Sequence, residues 1–258
     1  MINVFKRLYN YREFLLTSVK KEIRGKYKKS FLGILWSFLN PLLMLAVYAI
    51  IFPLILKVQE KNYVMFLFTA MIPWNFFTAV VTQGASCIIA NGNIIKKVYF
   101  PREILPISVV TSGLVNFLIS CIIMFVFLIF SGIGFSVQLI YLPLIILLEY
   151  IFLLGIVLIL SSVTVFLRDL EHIIGVIIQV LFYGTPIVYN LSTLEPAYAA
   201  LINLNPLTPI IQSYRDILYY QVTPNFSSLG IIFAFSLLLV VVGYMIFNRL
   251  QKKFAEEL

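Results

Sequence analysis

The chain has 258 residues, is 61% hydrophobic and 12% charged, and carries a net charge of +8. Soluble domains carry about 25% charged residues, so the composition excludes a soluble enzyme or binding module and indicates an integral membrane protein. The apolar runs are long and lack period-2 alternation, which predicts an all-α membrane protein rather than a barrel. Nine basic residues precede Phe31 and most others flank apolar runs. No compact basic patch with base-stacking aromatics is present, which argues against nucleic acid as a partner. Cys87 and Cys121 lie in apolar surroundings and read as packing residues. His172 is the sole histidine, so no metal site is expected. The first 32 residues are too basic for a cleavable signal peptide.

In chain order, Val4, Leu8, Tyr11, Leu15, Val19 and Ile23 recur every three or four residues. They predict an amphipathic helix over 2–24 lying in the cytoplasmic interface, the core of a segment covering 1–32. Six of the ten residues from Lys20 to Lys29 are basic. After them, Ser30 to Leu56 holds no ionisable side chain except Tyr48. That junction marks a cytoplasmic boundary, with Gly25 expected to allow a bend into the first span. The membrane domain, 33–258, is expected to hold six spans at about 33–56, 63–89, 104–130, 139–166, 170–189 and 229–247.

Asn91 to Glu103 is the most hydrophilic stretch between spans. It is expected to be cytoplasmic and to form a short helix capped near Asn91 or Asn93 and broken by Pro101. Arg168 to His172 forms a further cytoplasmic turn, in which Asp169 is placed to cap the next helix. Span five is expected to kink at Gly184-Thr185-Pro186. Between it and span six, two apolar pieces at about 197–204 and 209–220 are too short to cross a bilayer and predict re-entrant or interfacial elements. Six spans leave 16 basic residues in the cytoplasm and three outside. A seventh would move Arg249, Lys252 and Lys253 outside, against the positive-inside rule.

Glu149 is the one acid placed well inside a span. Such carboxylates are functional candidates, and hydrogen bonding to a neighbour is the plainer alternative. Trp36, Tyr48, Trp74, Phe76 and Phe77 neighbour helix-breaking prolines, and with Glu149 they are candidates to line a path along which aromatic faces stack on sugar rings; lipid contact, interface belts and packing are the plainer reading of any one of these aromatics. The mixture of cations with Tyr99 and Phe100 in Lys96–Glu103 suits either an ordinary anchored loop or a docking knob for a soluble partner. No phosphate-cradling Gly-x-x-x-x-Gly-Lys-Ser/Thr loop occurs, so no nucleotide cofactor is expected in this chain, and any ATP energy would have to come from a partner.

Six stretches, taken in order, carry a resemblance: 26–41 (KYKKSFLGILWSFLNP), 72–77 (IPWNFF), 96–106 (KKVYFPREILP), 166–170 (FLRDL), 185–189 (TPIVY) and 205–216 (NPLTPIIQSYRD). Together they resemble the membrane subunits of ATP-binding-cassette exporters of bacterial surface polysaccharides, the O-antigen, teichoic acid and capsule permeases. The resemblance implies a homodimer in the bacterial cytoplasmic (inner) membrane with both termini cytoplasmic. It also implies two copies of a separate ATPase that binds ATP and Mg, and a polyprenyl-diphosphate-linked glycan as substrate. It assigns ATPase coupling to Asn93, Lys96, Lys97, Val98, Tyr99, Phe100, Pro101, Arg102 and Glu103, with Arg168 and Asp169 beside them. Arg24, Gly25, Tyr27 and Gly33 become an interfacial hinge. Pro196, Asn205, Pro206, Pro209, Tyr214, Arg215 and Asp216 fall in external gate helices spanning 196–220. Glu149 matches no family motif. Three rivals remain: the same architecture exporting a drug or small lipid, a non-transporting assembly scaffold, and a membrane enzyme acting on polyprenyl-linked sugars, although the acids are scattered and the histidine is isolated.

Overall fold

The computed structural model describes residues 9–27, 35, 36, 39, 42–44, 46–48, 50, 51 and 62–258. Most of the first expected span therefore lies outside the described residues, Gly33 and Pro53 included. All regular structure among the described residues is helical. Helix α1 covers Arg12–Tyr27. Tyr11, Leu15, Val19 and Ile23 turn inward as their spacing predicts, joined by Phe14, Ser18 and Glu22, and the helix packs along the fourth helix described below. The bend expected at Gly25 is absent, because α1 continues through it to Tyr27. A glycine costs a helix interior only about 1 kcal/mol, which one residue inside a sixteen-residue helix does not turn into a break.

Helix α2 (Tyr63–Ala90) is the centre of the bundle. It contains Pro73 without ending there, and most of its residues are buried. A four-residue helix α3 (Gly92–Ile95) follows, then α4 (Ile104–Phe130). A tight turn carries Gly132 and Gly134, both at φ 75°, a left-handed conformation open to glycine at no steric cost. A 3-10 turn at Val137–Tyr141 leads into α5 (Leu142–Thr164). Around α2 pack α4, α5 and α6 (Leu170–Tyr183). Lipid is as apolar as leucine, so helices in a bilayer associate through close packing rather than exclusion of water. That closeness is visible where α5 meets α9 (Phe226–Leu250). A Cβ on Gly243 would stand 2.8 Å from the carbonyl oxygen of Gly155, and one on Gly155 would stand 2.7 Å from Leu239 Cβ.

Among the described residues, four helical stretches are long and apolar enough to cross a membrane: Tyr63–Ala90, Ile104–Phe130, Val137–Thr164 and Phe226–Glu257. Helix α6 has 14 residues, about 21 Å at 1.5 Å per residue, against about 30 Å of hydrocarbon. Its expected extent was 170–189, but Tyr183 is its last residue. Gly184 and Thr185 do not kink the helix; they end it. The Asn205 amide nitrogen donates to Gly184 O (3.0 Å) and Thr185 Oγ1 (2.9 Å), and Pro186 has no N–H to carry the helix on. Two short helices follow, α7 (Pro196–Asn203) and α8 (Leu207–Arg215), the latter extended by a π-helical turn at Asp216–Tyr220. They occupy the two apolar pieces predicted between spans five and six. Prolines start both: Pro196 is the first residue of α7 and Pro206 precedes α8.

Candidate functional site

At one end of the bundle, α1, Asn91–Glu103, the α5–α6 turn and the carboxyl tail converge. Asn91 is buried where α2 passes into α3. Its amide nitrogen donates to Cys87 O (2.8 Å), and its Oδ1 accepts from Lys21 Nζ of α1 (2.6 Å). About two turns earlier on α2, Gln83 Nε2 donates to Glu22 Oε2 of α1 (2.6 Å). The Phe100 ring is buried 4.8 Å from the Phe14 ring. Arg102 donates to the carbonyl of Gln251 and lies over the Phe254 ring at 5.8 Å. Phe254 is fully buried against Phe247 and Phe166, and Leu258 lies against Gly92.

These ties leave a protrusion. Lys96, Lys97, Val98 and Tyr99 are exposed, and Tyr99 is 93% exposed. Val98 to Phe100 belongs to no helix, and there Tyr99 is exposed while Phe100 is buried. Asn93 is exposed on α3, Pro101 is half-buried and Glu103 is buried. The helix expected to run to Pro101 ends at Ile95, and Asn91 sits at the cap position without a side-chain cap bond because its amide is committed to Cys87 and Lys21. Asp169 likewise precedes α6 without capping it, and both it and Arg168 are exposed. Arg24 and Gly25 are exposed on α1.

The opposite end is built from buried polar contacts. Glu149 of α5 is buried, and its Oε2 accepts from the Tyr214 hydroxyl of α8 at 2.7 Å. Its Oε1 has no hydrogen-bond partner among the described residues. Next in sequence, Arg215 is fully buried, with its guanidinium 3.7 Å over the Phe66 ring and Nη2 donating to Ile187 O at 2.9 Å. The Tyr63 hydroxyl donates to Val188 O at 2.8 Å, and the Gln221 amide donates to Ile133 O at 2.8 Å. The loops after α4 and α6 are thus tied to the α8 segment. Glu149 and Tyr214, 65 positions apart, are brought together by these contacts. Pro209 and Asp216 are half-buried beside them.

The aromatic candidates divide. Trp74, Phe76 and Phe77 are buried within this chain: the Trp74 ring lies 5.7 Å from Phe182, and Phe76 lies 5.1 Å from Phe117. Tyr48 is half-buried, 5.7 Å from the same Phe182, and Trp36 is exposed. Sequence reasoning missed Phe14, Lys21, Glu22, Gln83 and Phe254, which hold the protrusion. The only available signals were a second inward row on α1 and a lone phenylalanine in a charged tail. Among the described residues no three of His, Cys, Asp and Glu approach closely enough to hold a metal ion.

The match to known proteins spans the chain. Residues 13–219 match the family described as ABC-2 type transporter. The chain is 34% identical over 260 aligned positions to an O-antigen export system permease protein RfbA of Myxococcus xanthus, with 100% of both chains covered. It is 38% identical over 245 positions to an O-antigen export system permease protein RfbA of Klebsiella pneumoniae, covering 95% of this chain and 94% of that one. A second Klebsiella pneumoniae protein of the same description is 36% identical over 245 positions. With its helical bundle, apolar spans and full-length relatives of one kind, this chain belongs to the ABC-2 type transporter membrane family.

Proposed function

We propose that this chain is the membrane-spanning subunit of an ATP-driven exporter that moves a polyprenyl-diphosphate-linked polysaccharide, of O-antigen or teichoic-acid type, outward across the bacterial cytoplasmic membrane. One observation carries the reading: over its whole length the chain aligns with permeases named for O-antigen export. In this reading the chain crosses six times with both termini cytoplasmic, and two copies pair with spans one and five beside the path. Two cassette ATPases bind below, because an exporter of this family without a nucleotide loop of its own needs an external source of ATP energy. The exposed Lys96–Tyr99 protrusion supports a docking role, since an aromatic ringed by cations suits a cleft on a soluble partner. Its bonds to α1 and the tail would pass movement of that partner into the bundle.

Deletion of the gene tests the cargo. Loss of the surface polymer with accumulation of its lipid-linked precursor in the cytoplasm is expected, and an unchanged polymer refutes the reading in favour of a drug or small-lipid cargo. Co-purification with the cassette ATPase tests the docking. Lys96→Glu, Lys97→Glu and Tyr99→Ala together are expected to abolish complex formation, and a complex with intact stimulated ATP hydrolysis refutes it.

A further inference from the structure

A shallow, open cleft of about 560 Å3 lies beside α8. One wall is Asn190 and Ser192 of the loop after α6. Ala199 of α7 forms the second, and Gln212, Asp216 and Tyr220 form the third. The last three recur every four residues across the junction of α8 with its π-helical turn. Four residues overshoot an α-turn of 3.6 and fall short of the wider i→i+5 turn. The two drifts offset, and the three side chains share one face.

The polar groups in the cleft fall into two sets. Asn190 is committed internally: its amide nitrogen donates to the Tyr220 hydroxyl oxygen at 2.8 Å, and its Oδ1 accepts from Ser192 N at 3.0 Å and Ser192 Oγ at 2.9 Å. The Tyr220 ring is further braced by a T-shaped contact with Tyr219, ring centroids 4.9 Å apart. The side chains of Gln212 and Asp216, by contrast, form no hydrogen bond with any described residue. The cleft therefore holds a fixed aromatic ring beside one amide and one carboxylate that are available to a ligand. A sugar ring matches this set. Its vicinal hydroxyls pair with a planar carboxylate and amide, its C–H face lies on an aromatic ring, and a ring already held in place lowers the cost of ordering on binding.

We propose that this cleft is a carbohydrate-binding subsite, in which Gln212 and Asp216 hold hydroxyls of a glycan stretch stacked on Tyr220. The proposal rests on the glycan-export reading, which makes this the outward end. The carboxylate favours neutral or amino-sugar units over acidic ones, by charge repulsion. The ligand is the sugar chain itself, whether still attached to its lipid or released.

The test uses the permease–ATPase complex in lipid nanodiscs. The probe is oligosaccharide released by mild acid from the host's own surface polymer, with dextran as the unrelated control, and binding is followed by saturation-transfer NMR. Wild type is expected to bind the oligosaccharide and not dextran. The pair Gln212→Leu with Asp216→Leu is expected to raise Kd tenfold or more. Ala199→Trp, which fills the cleft without removing a polar group, is expected to do the same, and retained ATPase assembly reports that each variant is folded. No oligosaccharide binding to wild type, or equal Kd in assembled variants, overturns the subsite. Stimulation of ATP hydrolysis by the lipid-linked precursor is measured in the same samples and judges the export reading separately.

Discussion

The bond between Glu149 and Tyr214 yields a prediction with a distinctive sign pattern. Glu149 is 1% exposed, and the Tyr214 hydroxyl is the hydrogen-bond donor to its Oε2. Its other oxygen has no hydrogen-bond partner among the described residues. Tyr214→Phe therefore leaves a buried carboxyl group without a hydrogen bond, at a cost of about 1–3 kcal/mol. Glu149→Leu strands the phenol instead, at a similar cost. Replacing both partners removes both stranded groups, so the double variant is expected to melt within about 1 kcal/mol of wild type, above either single variant. Glu149→Gln keeps an acceptor oxygen and is expected to fall between. The chain carries its own reporters: Cys87 and Cys121 are free and buried, so a thiol-reactive fluorophore lights up on unfolding. Cys87 lies in the cluster at the opposite end, with Phe100 and Phe254, away from the substitutions. The reasoning is refuted if Tyr214→Phe melts with wild type, or if the double variant melts below both singles.

Arg215→Ala removes a guanidinium stacked on Phe66 and strands the carbonyl of Ile187. It is expected to cost about 3 kcal/mol or more, with Arg215→Lys recovering part, read in the same melting assay. Gly243→Ala places a methyl 2.8 Å from the Gly155 carbonyl oxygen. Backbone cannot yield as a side-chain tip does, so α5 and α9 must separate, and a loss of about 1–3 kcal/mol is expected. At Gly25 a Cβ meets nothing within 4 Å, so Gly25→Ala is expected to stabilise α1 by up to about 1 kcal/mol. Reduced polymer export in a variant that inserts normally would mark Gly25 as a joint that moves, and unchanged export would leave it an ordinary exposed helical residue.

The long helices were legible because their cause is local. Asn62, Asn91, Glu103 and Ser131 bracket uncharged runs, and α2 and α4 fall within a residue of the boundaries the runs predict. The short helices α7 and α8 were legible because prolines mark their starts. The end of α6 was read as a kink because the apolar run resumes at Ile187 and Val188 beyond Gly184-Thr185-Pro186, and no local pattern reveals that Asn205 reaches back to take the helix end. The charge and aromatics of Lys96–Glu103 were legible, but not that Phe100 is buried while Tyr99 is exposed. Which of the two faces in depends on Phe14, and only the fold brings it there. Glu149 was legible as unusual, but its partner was not, since nothing in either neighbourhood encodes a contact across 65 residues.

The distribution of these contacts follows from what packing alone can specify. Between long helices such as α5 and α9, backbone proximity at Gly155 and Gly243 fixes one register. Helix α8 has nine residues, about 13 Å of helix, and too little surface to choose its depth by apolar contact where lipid is equally apolar. An apolar replacement for its buried polar groups would cost less to bury, yet it would fit at several depths. A phenol that meets one carboxylate at 2.7 Å and a guanidinium that meets one carbonyl at 2.9 Å fit at one. The protrusion at the other end is held on the same principle, by Lys21 on Asn91 and Arg102 on the tail carbonyl. Each end is therefore positioned by a few polar bonds over a mainly apolar middle. Displacing either end requires exchanging those bonds and leaves the interhelical packing between them in place.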